Sequence, residues 1–467
     1  MPRLVIVSNR VPDLDGLQLS GGGLAVAVLD ALRDNGGLWF GWNGLIAGDG
    51  DSLDVAVNEH DTITIATVPL SKKDYEDYYL GFSNSVIWPV FHNRLDLAKF
   101  SATQVEGYRR VNIEFANRLS PLLRPSDLIW IHDYHLIPLA AHLRVHGHRN
   151  PIGFFLHISF PTPDVLVAAP EHEWLMDSFL SYDLVGFQTA LDADNFHRFL
   201  LNFEGASQSE NKLVARGRTI VTGVFPIGID VEAFAAMAHT QEAEERIERL
   251  HRRATPRVHI IGVDRLDYTK GLPERLHAFR RLLELHPENR KVATLMQIAA
   301  PTREDVEIYV EIRKELEQLS GAINGEFGDF DWTPVRYIHR SVGRDTLAAL
   351  FRGSHVGLVT PLRDGMNLVA KEYVAAQDEQ DPGVLVLSRF AGAAEDLEEA
   401  LIVNPYDTDD VAEALQRAIN MPQAERRARH KALLKRVRDR ACSRSRSKAL
   451  AGELFVRFTA CKYLVVC

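Results

Sequence analysis

The sequence predicts an α/β protein made of two doubly wound parallel-sheet domains. The chain has 467 residues, more than a single hydrophobic core usually serves. Short apolar runs recur between polar turns, and several of them precede stretches of helical periodicity. Continuous apolar strands that alternate with amphipathic helices are typical of parallel sheets covered by helices on both faces.

The predicted strands are short and almost wholly apolar, as expected of strands buried on both faces. They are residues 4–7, 128–131, 152–156, 220–224, 259–263, 293–298, 356–359, 384–387 and 401–403. The predicted helices are residues 24–32, 136–143, 275–285, 368–375 and 411–419. A charged stretch, 235–256, follows the turn at Pro226. We therefore assign 1–230 to the first domain, 231–440 to the second and 441–467 to a C-terminal tail.

Composition excludes several classes of protein. The chain carries 53 basic and 63 acidic residues, a net charge of −10, whereas a nucleic-acid surface needs a cationic excess. The three cysteines, Cys442, Cys461 and Cys467, lie together near the end, so no disulfide framework is expected and a reducing cytoplasm fits best. The start of the chain leads into a predicted strand instead of a signal peptide, and no apolar run is long enough to span a membrane.

Three motifs of the first domain follow predicted strands. Arg10 and then Gly21-Gly22-Gly23 precede a predicted helix, where backbone N–H groups can bind a phosphate, although a plain flexible turn would look the same. Asp133 begins a strand-to-helix turn, where it can bind sugar hydroxyls or cap the helix. His157 ends a strand before a proline-stiffened loop and can be structural or catalytic. A metal site at the neighbouring histidines would need further ligands, which the sequence does not indicate.

Two motifs of the second domain suit a diphosphate and a ribose. Arg265 and Lys270 follow the first strand of that domain, where two cations can neutralise a leaving diphosphate or form surface ion pairs. The run 360–372 places Asp364 and a glycine-containing loop before a helix that starts at residue 367 or 368. Glu372 would lie one turn inside that helix and could accept hydrogen bonds from a ribose.

Taken together, the motifs resemble those of the trehalose-6-phosphate synthases. The matching segments are residues 8–10, 22–24, 38–42, 130–135, 157, 265–271 and 361–372, in order, over roughly residues 1–425. The resemblance implies a GT-B arrangement of two Rossmann-like domains with the active site in the cleft between them. It implies UDP-glucose as donor, glucose-6-phosphate as acceptor, and trehalose-6-phosphate and UDP as products.

The resemblance also implies roles for single residues. On the donor side these are Gly22 and Gly23 in a closing loop, Arg265 and Lys270 on the diphosphate, Asp364 on the sugar hydroxyls, Leu368 and Val369 through their backbone, Glu372 on the ribose and Val342 on the uracil through its backbone. On the acceptor side they are Arg10, Tyr79, Trp88, Asp133 and Arg303. His157 matches a residue near the reacting donor sugar and joins Asp364, Arg265 and Lys270 in the catalytic set.

The family retains anomeric configuration without an evident protein nucleophile, and the leaving phosphate takes the proton of the acceptor. No cofactor or metal is expected, since Arg265 and Lys270 stabilise the diphosphate. Three alternative functions are glucosylglycerol-phosphate synthase, pseudo-glycosyltransferase and non-catalytic glucose-6-phosphate sensor. A pseudo-glycosyltransferase would lack the Gly21-Gly22-Gly23 loop. The sequence leaves open the donor base and whether the chain forms a homo-oligomer. The tail beyond about Arg440 lacks the expected aromatic-rich crossing helix, and we expect less order there or a different packing.

Overall fold

The computed structural model describes residues 2–12, 28–29, 32–33, 36–48, 52–202, 205–251, 258–303 and 306–440. The chain divides into two compact units and passes from the first to the second between Pro226 and Ile227. The domain ranges 1–230 and 231–440 stay a prediction. The predicted tail from residue 441 lies outside the described residues.

A ten-stranded mixed sheet forms the centre of the first unit, as far as the described residues extend. Its strands are β1 (Leu4–Arg10), β2 (Gly37–Ala47), β3 (Ala56–His60), β4 (Ile63–Ser71), β5 (Leu128–His132), β6 (Ile152–Phe155), β7 (Leu184–Phe187), β8 (Ser207–Ser209), β9 (Lys212–Ala215) and β10 (Arg218–Val224). They lie in the order β3-β4-β2-β1-β5-β6-β7-β10-β9-β8. Neighbours from β4 to β10 are parallel, and β3, β9 and β8 add antiparallel pairs at the two edges.

Helices of the first unit present apolar residues at helical spacing. The α-helices are Lys72–Asp74, Trp88–Phe91, Ala102–Leu119, Leu139–Val145, Pro163–Leu166, His172–Phe179 and Ala190–Leu200, and a π-helical segment spans Tyr75–Ile87. Ala102–Leu119 buries Val105, Val111, Phe115 and Leu119. These positions fall on one face of a helix with about 3.6 residues per turn, which is why the segment folds as an amphipathic helix.

The described residues of the second unit form a six-stranded sheet in which every pair is parallel. Its strands are β11 (Val258–Arg265), β12 (Ala293–Ala300), β13 (Val335–Ile338), β14 (Val356–Val359), β15 (Val384–Ser388) and β16 (Leu401–Val403), in the order β13-β12-β11-β14-β15-β16. The α-helices are Val231–Ala238, Gln241–His251, Leu272–Leu285, Glu307–Phe327, Arg344–Arg352, Leu368–Ala376, Thr408–Ile419 and Gln423–Asp439. Within the described part of the chain, no helix combines the length and the apolar character needed to cross a bilayer.

Among the parallel strands of each sheet, the direction of growth reverses once, and that point predicts where a ligand binds. In the first unit the chain builds outward from β1 through β2 to β4, then returns to β5 on the other side of β1. In the second unit it builds from β11 to β13 and returns to β14 beside β11. The crossover segments diverge at such a switch point and leave a crevice beyond the carboxyl ends of the two strands. We therefore expect the crevices beyond β1 and β5, and beyond β11 and β14.

The fold class predicted from the sequence is confirmed, and the predicted strands match observed strands to within a few residues. One predicted helix is wrong in its start. Residues 136–143 contain the end of a 3₁₀ turn, Tyr134–Leu136, and the α-helix is Leu139–Val145. Pro138 occupies the cap position before that helix, because proline has no N–H to donate inside a helix. The predicted helix 24–32 lies mostly outside the described residues.

A fully buried arginine joins the central strands of the second unit. Arg275, in the helix Leu272–Leu285, has a side chain that is 0% exposed. Its guanidinium donates to Asp264 Oδ2 of β11 at 2.8 Å and to Gln297 Oε1 of β12 at 3.0 Å. It also donates to Thr360 Oγ1, just after β14, at 3.0 Å. One side chain therefore fixes three strands around the switch point.

Replacing Arg275 by Ala is expected to lower the free energy of unfolding by about 3–5 kcal/mol, because Asp264 would remain buried without its cation. Arg280→Ala in the same helix is the matched control, since its pair with Glu284 is partly exposed and contributes about 1 kcal/mol or less. Urea unfolding followed by circular dichroism measures both. Equal losses of stability in the two variants would contradict the structural role of Arg275.

Candidate functional site

The crevice of the first unit contains Arg10 beside a glycine that makes room for it. Arg10 is the last residue of β1, so the strand continues through the predicted motif at 8–10. Its guanidinium carbon lies 5.8 Å from the centre of the Trp42 ring. A Cβ on Gly44, whose φ is +87°, would come within 2.7 Å of Arg10 Nη2. Glycine at position 44 is therefore favoured by its positive φ, and a side chain there would displace the guanidinium of Arg10.

Aromatic rings line the same end of the sheet. Tyr79 lies 5.4 Å from Trp42 and stacks on His135 at 5.9 Å between ring centres. It belongs to the π-helical segment Tyr75–Ile87, a geometry often found at functional sites. Trp88 directly follows that segment, is buried, and lies 5.7 Å from the ring of Tyr134. The structure thus places Tyr79 and Trp88 on one helical stretch beside the carboxyl ends of β1 and β5.

Asp133 follows β5 in a strained backbone conformation. Its φ is +73°, a region that non-glycine residues rarely adopt and that clusters at functional sites. The carboxylate does not cap the following 3₁₀ turn, so the capping interpretation is wrong. Instead, Asp133 Oδ1 accepts a hydrogen bond from the backbone N–H of His157 at 3.3 Å. Asp133 and His157 are therefore brought together at the ends of β5 and β6.

His157 pairs with a second histidine that the sequence analysis did not assign to the site. His157 was predicted to end the strand, but β6 ends at Phe155, so His157 lies two residues into the following loop. His157 Nε2 lies 3.0 Å from His132 Nδ1, and the two rings stack at 5.3 Å. Burial lowers the pKa of His157 to about 3 and lowers the pKa of His132 well below its ordinary value. Both imidazoles are therefore neutral near pH 7.

In the crevice of the second unit an ion pair crosses from β11 to β14. Lys270 Nζ donates to Asp364 Oδ2 at 2.6 Å, and the two side chains are only 10% and 15% exposed. Asn367 Nδ2 also donates to Asp364 Oδ2, at 3.1 Å. The loops are joined by the backbone N–H of Leu362, which donates to Thr269 O at 2.8 Å. These contacts hold the ammonium and the carboxylate at the switch point.

The buried carboxylate of Asp267 interacts with the cations of this crevice. Asp267, fully buried after β11, lies 3.5 Å from Arg303 Nη1, and Arg303 also donates to Tyr309 Oη at 2.6 Å. Burial would raise the pKa of Asp267, but the charges of Arg303, Arg265 and Lys270 outweigh it and lower the pKa below its ordinary value. Arg303 follows β12 by three residues, as its predicted place after a strand requires. Asp267 therefore lies within electrostatic reach of all three predicted cations.

The helix Leu368–Ala376 carries the remaining predicted donor residues. Asn367 caps it by accepting from the backbone N–H of Ala370, and its φ is +79°. Leu368 and Val369 form the first turn, as predicted, and pack with Val342 against the core of this unit. Glu372 lies on the next turn, where burial raises its pKa to about 7. The guanidinium of Arg344, 3.7 Å away, acts in the opposite direction.

Some functional residues left a signal in the sequence and others left none. His132 and Asp267 lie inside motifs that the sequence analysis identified, but that analysis assigned binding roles to other residues of the same motifs. Asn367 is part of the run 360–372. Tyr309 and Arg344 are ordinary helix residues whose roles depend on tertiary contacts. Gly22 and Gly23 lie outside the described residues. Within those residues, no group of three or more His, Cys, Asp or Glu side chains is arranged to bind a metal.

Comparison with known proteins places the chain among enzymes of one family. The profile of glycosyltransferase family 20 matches residues 7–449. A trehalose-6-phosphate synthase of Enterobacter sp. (strain 638) is 49% identical over 440 residues, 94% of this chain and 92% of the relative. The crystal structure of a UDP-forming α,α-trehalose-phosphate synthase from Burkholderia xenovorans with glucose-6-phosphate has a TM-score of 0.92 at 49% identity, covering 97% and 99% of the two chains. The Escherichia coli structure bound with UDP-2-fluoro glucose has a TM-score of 0.91 at 45% identity, covering 97% and 98%.

Glu372 should make the stability of the second unit depend on pH. Because its pKa of about 7 in the folded chain exceeds the ordinary 4.5, the folded state binds more protons than the unfolded state between these values. Stability should therefore fall as the pH rises from 4.5 to 7, by roughly 3 kcal/mol for a shift of this size. Glu372→Gln should remove that loss.

The measurement is the melting temperature at pH 5 and pH 8. Relative to the parent chain, Glu372→Gln should be more stable at pH 8 and nearly unchanged at pH 5. Glu311→Gln is the control, since Glu311 is exposed on the helix Glu307–Phe327 of the same unit and should change little at either pH. An equal response of the two variants to pH would show that Glu372 is not buried as described.

Proposed function

Because the chain belongs to glycosyltransferase family 20, we infer that it transfers glucose from UDP-glucose to glucose-6-phosphate, forming α,α-trehalose-6-phosphate and UDP. Relatives close to half identical over most of both chains have this activity in their names, and two related structures contain glucose-6-phosphate and a UDP-glucose analogue. The names favour this reaction over glucosylglycerol-phosphate synthesis and over a non-catalytic sensor. The observation that carries the proposal is the Lys270–Asp364 pair at the switch point of the second unit.

We propose that this crevice binds the nucleotide sugar. A diphosphate needs fixed cations, and Arg265 and Lys270 are positioned around Asp267 at the carboxyl end of β11. Asp364 would accept hydrogen bonds from hydroxyls of the donor glucose, because Lys270 and Asn367 donate to its Oδ2 and hold the carboxylate at the switch point. The backbone of Leu368 and Val369 faces the diphosphate and ribose region, Glu372 binds the ribose, and the backbone of Val342 contacts the uracil.

The crevice of the first unit would bind the acceptor. Arg10 offers a planar guanidinium, which matches phosphate oxygens in a bidentate way. Tyr79 and Trp88 supply amphipathic rings of the kind that pack against a sugar, and Asp133 supplies an acceptor for its hydroxyls. Arg303 would provide a second guanidinium for the same phosphate. His157 would contact the donor glucose as a neutral hydrogen-bonding group, as its lowered pKa allows.

The chemistry follows from what these groups can and cannot do. Because their pKa values are lowered, His132 and His157 are weak general bases, so the proton of the acceptor hydroxyl passes to the departing phosphate oxygen on the same face of the sugar. The C1–phosphate bond breaks as the new glycosidic bond forms on that face, and configuration is retained. Arg265 and Lys270 stabilise the charge that grows on the diphosphate. The acceptor hydroxyl is held beside C1 so that the reaction is effectively unimolecular.

We also propose a cytoplasmic location, supported by the confinement of the three cysteines to position 442 and beyond.

Turnover should persist without divalent ions, because two protein cations take their place at the diphosphate. The experiment incubates the chain with glucose-6-phosphate and UDP-, ADP- or GDP-glucose in excess EDTA and measures release of the nucleoside diphosphate. UDP release at the rate seen with magnesium is expected. Complete loss of turnover in EDTA, restored by magnesium or manganese, would contradict the proposed role of Arg265 and Lys270.

Arg10 and Arg303 should both bind the acceptor phosphate. A charge-assisted hydrogen bond contributes roughly 1.5–3 kcal/mol, so Arg10→Ala or Arg303→Ala should lower kcat/KM for glucose-6-phosphate by about ten- to a hundredfold. The preference for glucose-6-phosphate over glucose should shrink in both variants, because glucose lacks the phosphate. UDP affinity should stay near that of the parent chain.

The matched control is Arg94→Ala, since the side chain of Arg94 pairs with the exposed carboxylate of Asp96 and is not among the proposed acceptor residues. It should leave both acceptors unaffected. If Arg10→Ala and Arg303→Ala keep the full preference for glucose-6-phosphate, the acceptor binds elsewhere.

A further inference from the structure

Only two placements of the ring hydrogens allow a hydrogen bond between His132 and His157. His132 Nδ1 and His157 Nε2 are 3.0 Å apart, so one nitrogen must donate and the other must accept. The pKa of each ring is lowered by burial, which leaves one hydrogen per ring. The hydrogen between the rings therefore belongs either to His132 Nδ1 or to His157 Nε2.

The surroundings of His132 distinguish the two. The ring is 2% exposed, and His132 Nε2 is buried without a hydrogen-bond partner among the described residues. The centre of the His132 ring lies 4.5 Å from the ring centre of Trp130 and 6.5 Å from that of Phe155. If His157 donated, His132 would carry its hydrogen on Nε2 and bury an unpaired N–H, which native structures almost never do. If His132 Nδ1 donates, Nε2 is a bare lone pair and no N–H is left unpaired.

We propose that His132 is a positioning residue that donates from Nδ1 to His157 Nε2 and so fixes the hydrogen of His157 on Nδ1. His157 then presents an N–H and not a lone pair with its remaining ring nitrogen. Its backbone is fixed at the same time, because its N–H donates to Asp133 Oδ1 at 3.3 Å. The stacked ring of His132 and the Asp133 carboxylate together set the orientation of His157.

The consequence for catalysis rests on the proposed function, in which His157 contacts the donor glucose. A fixed Nδ1–H can donate to a sugar oxygen on every turnover without adding a charge beside the departing diphosphate. A ring free to exchange tautomers would present the N–H for only part of the time. His132 therefore acts on the donor sugar through His157 without touching it, in the manner of groups that orient a catalytic imidazole.

The direct test is nitrogen NMR of the full-length chain labelled with ¹⁵N-histidine, near pH 7.5, with His157→Gln to assign the signal. We expect His157 to show hydrogen on Nδ1 and a bare Nε2. His157 with hydrogen on Nε2, or an even mixture of tautomers, would overturn the proposal. This readout uses the unmodified chain and does not depend on activity.

Two substitutions at His132 test the effect on turnover. In His132→Asn the amide nitrogen lies one bond from Cγ, as Nδ1 does, and can still donate, whereas His132→Leu cannot. We expect His132→Leu to lower kcat by about tenfold with little change in KM for glucose-6-phosphate, and to give a mixed tautomer at His157. His132→Asn should recover most of the rate. Equal rates in two folded variants would overturn the proposal, as would a His157 tautomer that is unchanged in His132→Leu.

Failure of the proposed function gives a different result. If the parent chain released no UDP from UDP-glucose and glucose-6-phosphate, the assigned reaction would be wrong, while the NMR result would still decide the tautomer. If UDP is released and His157→Gln is fully active, His157 does not contact the donor during turnover. The predicted effect of His132 on kcat would then be contradicted as well.

Discussion

The ion pair between Lys270 and Asp364 is the interaction on which the proposed donor site depends. It spans the switch point between β11 and β14, the one place in the second sheet where neighbouring loops diverge. In the proposed site a single ammonium serves two purposes, because it holds the carboxylate and would bind the diphosphate. The buried guanidinium of Arg275 holds the strands beneath it in place. Since these groups are fixed before any ligand arrives, little rearrangement is needed when charge develops.

The first unit follows the same topology with different chemistry. Beyond β1 and β5 it has a guanidinium, Arg10, several aromatic rings and the strained backbone of Asp133, and we propose that these groups bind the phosphorylated sugar. Its two buried histidines are neutral, so they add hydrogen bonds without adding charge. Neutral imidazoles with lowered pKa are weak bases, which suits the proposed reaction, in which the leaving group itself removes the proton.

Most of the fold could be predicted from the sequence, and part of the site could not. Strands buried on both faces produce apolar runs, so β11, β14 and β15 are visible without a structure. The helix after Asn367 was predicted because its cap and glycine loop are local signals. The helix at 136–143 was misplaced, since periodicity alone does not locate the start that Pro138 sets. Tyr309 and His132 gain their roles only from contacts far apart along the chain, 42 residues between Tyr309 and Asp267 and 25 between His132 and His157, and no local pattern reports such contacts.

The most direct measurement of the central claim is UDP affinity by calorimetry in EDTA, for Lys270→Met and for the double variant Lys270→Met/Asp364→Asn. The double variant removes both charges, so Asp364 is not left without its partner. UDP binding should weaken tenfold or more in both variants, because the diphosphate loses a cation in each. Lys291→Met, at an exposed pair with Asp329, should bind UDP normally. Wild-type affinity in the double variant would show that Lys270 only neutralises Asp364, and would contradict its role at the diphosphate.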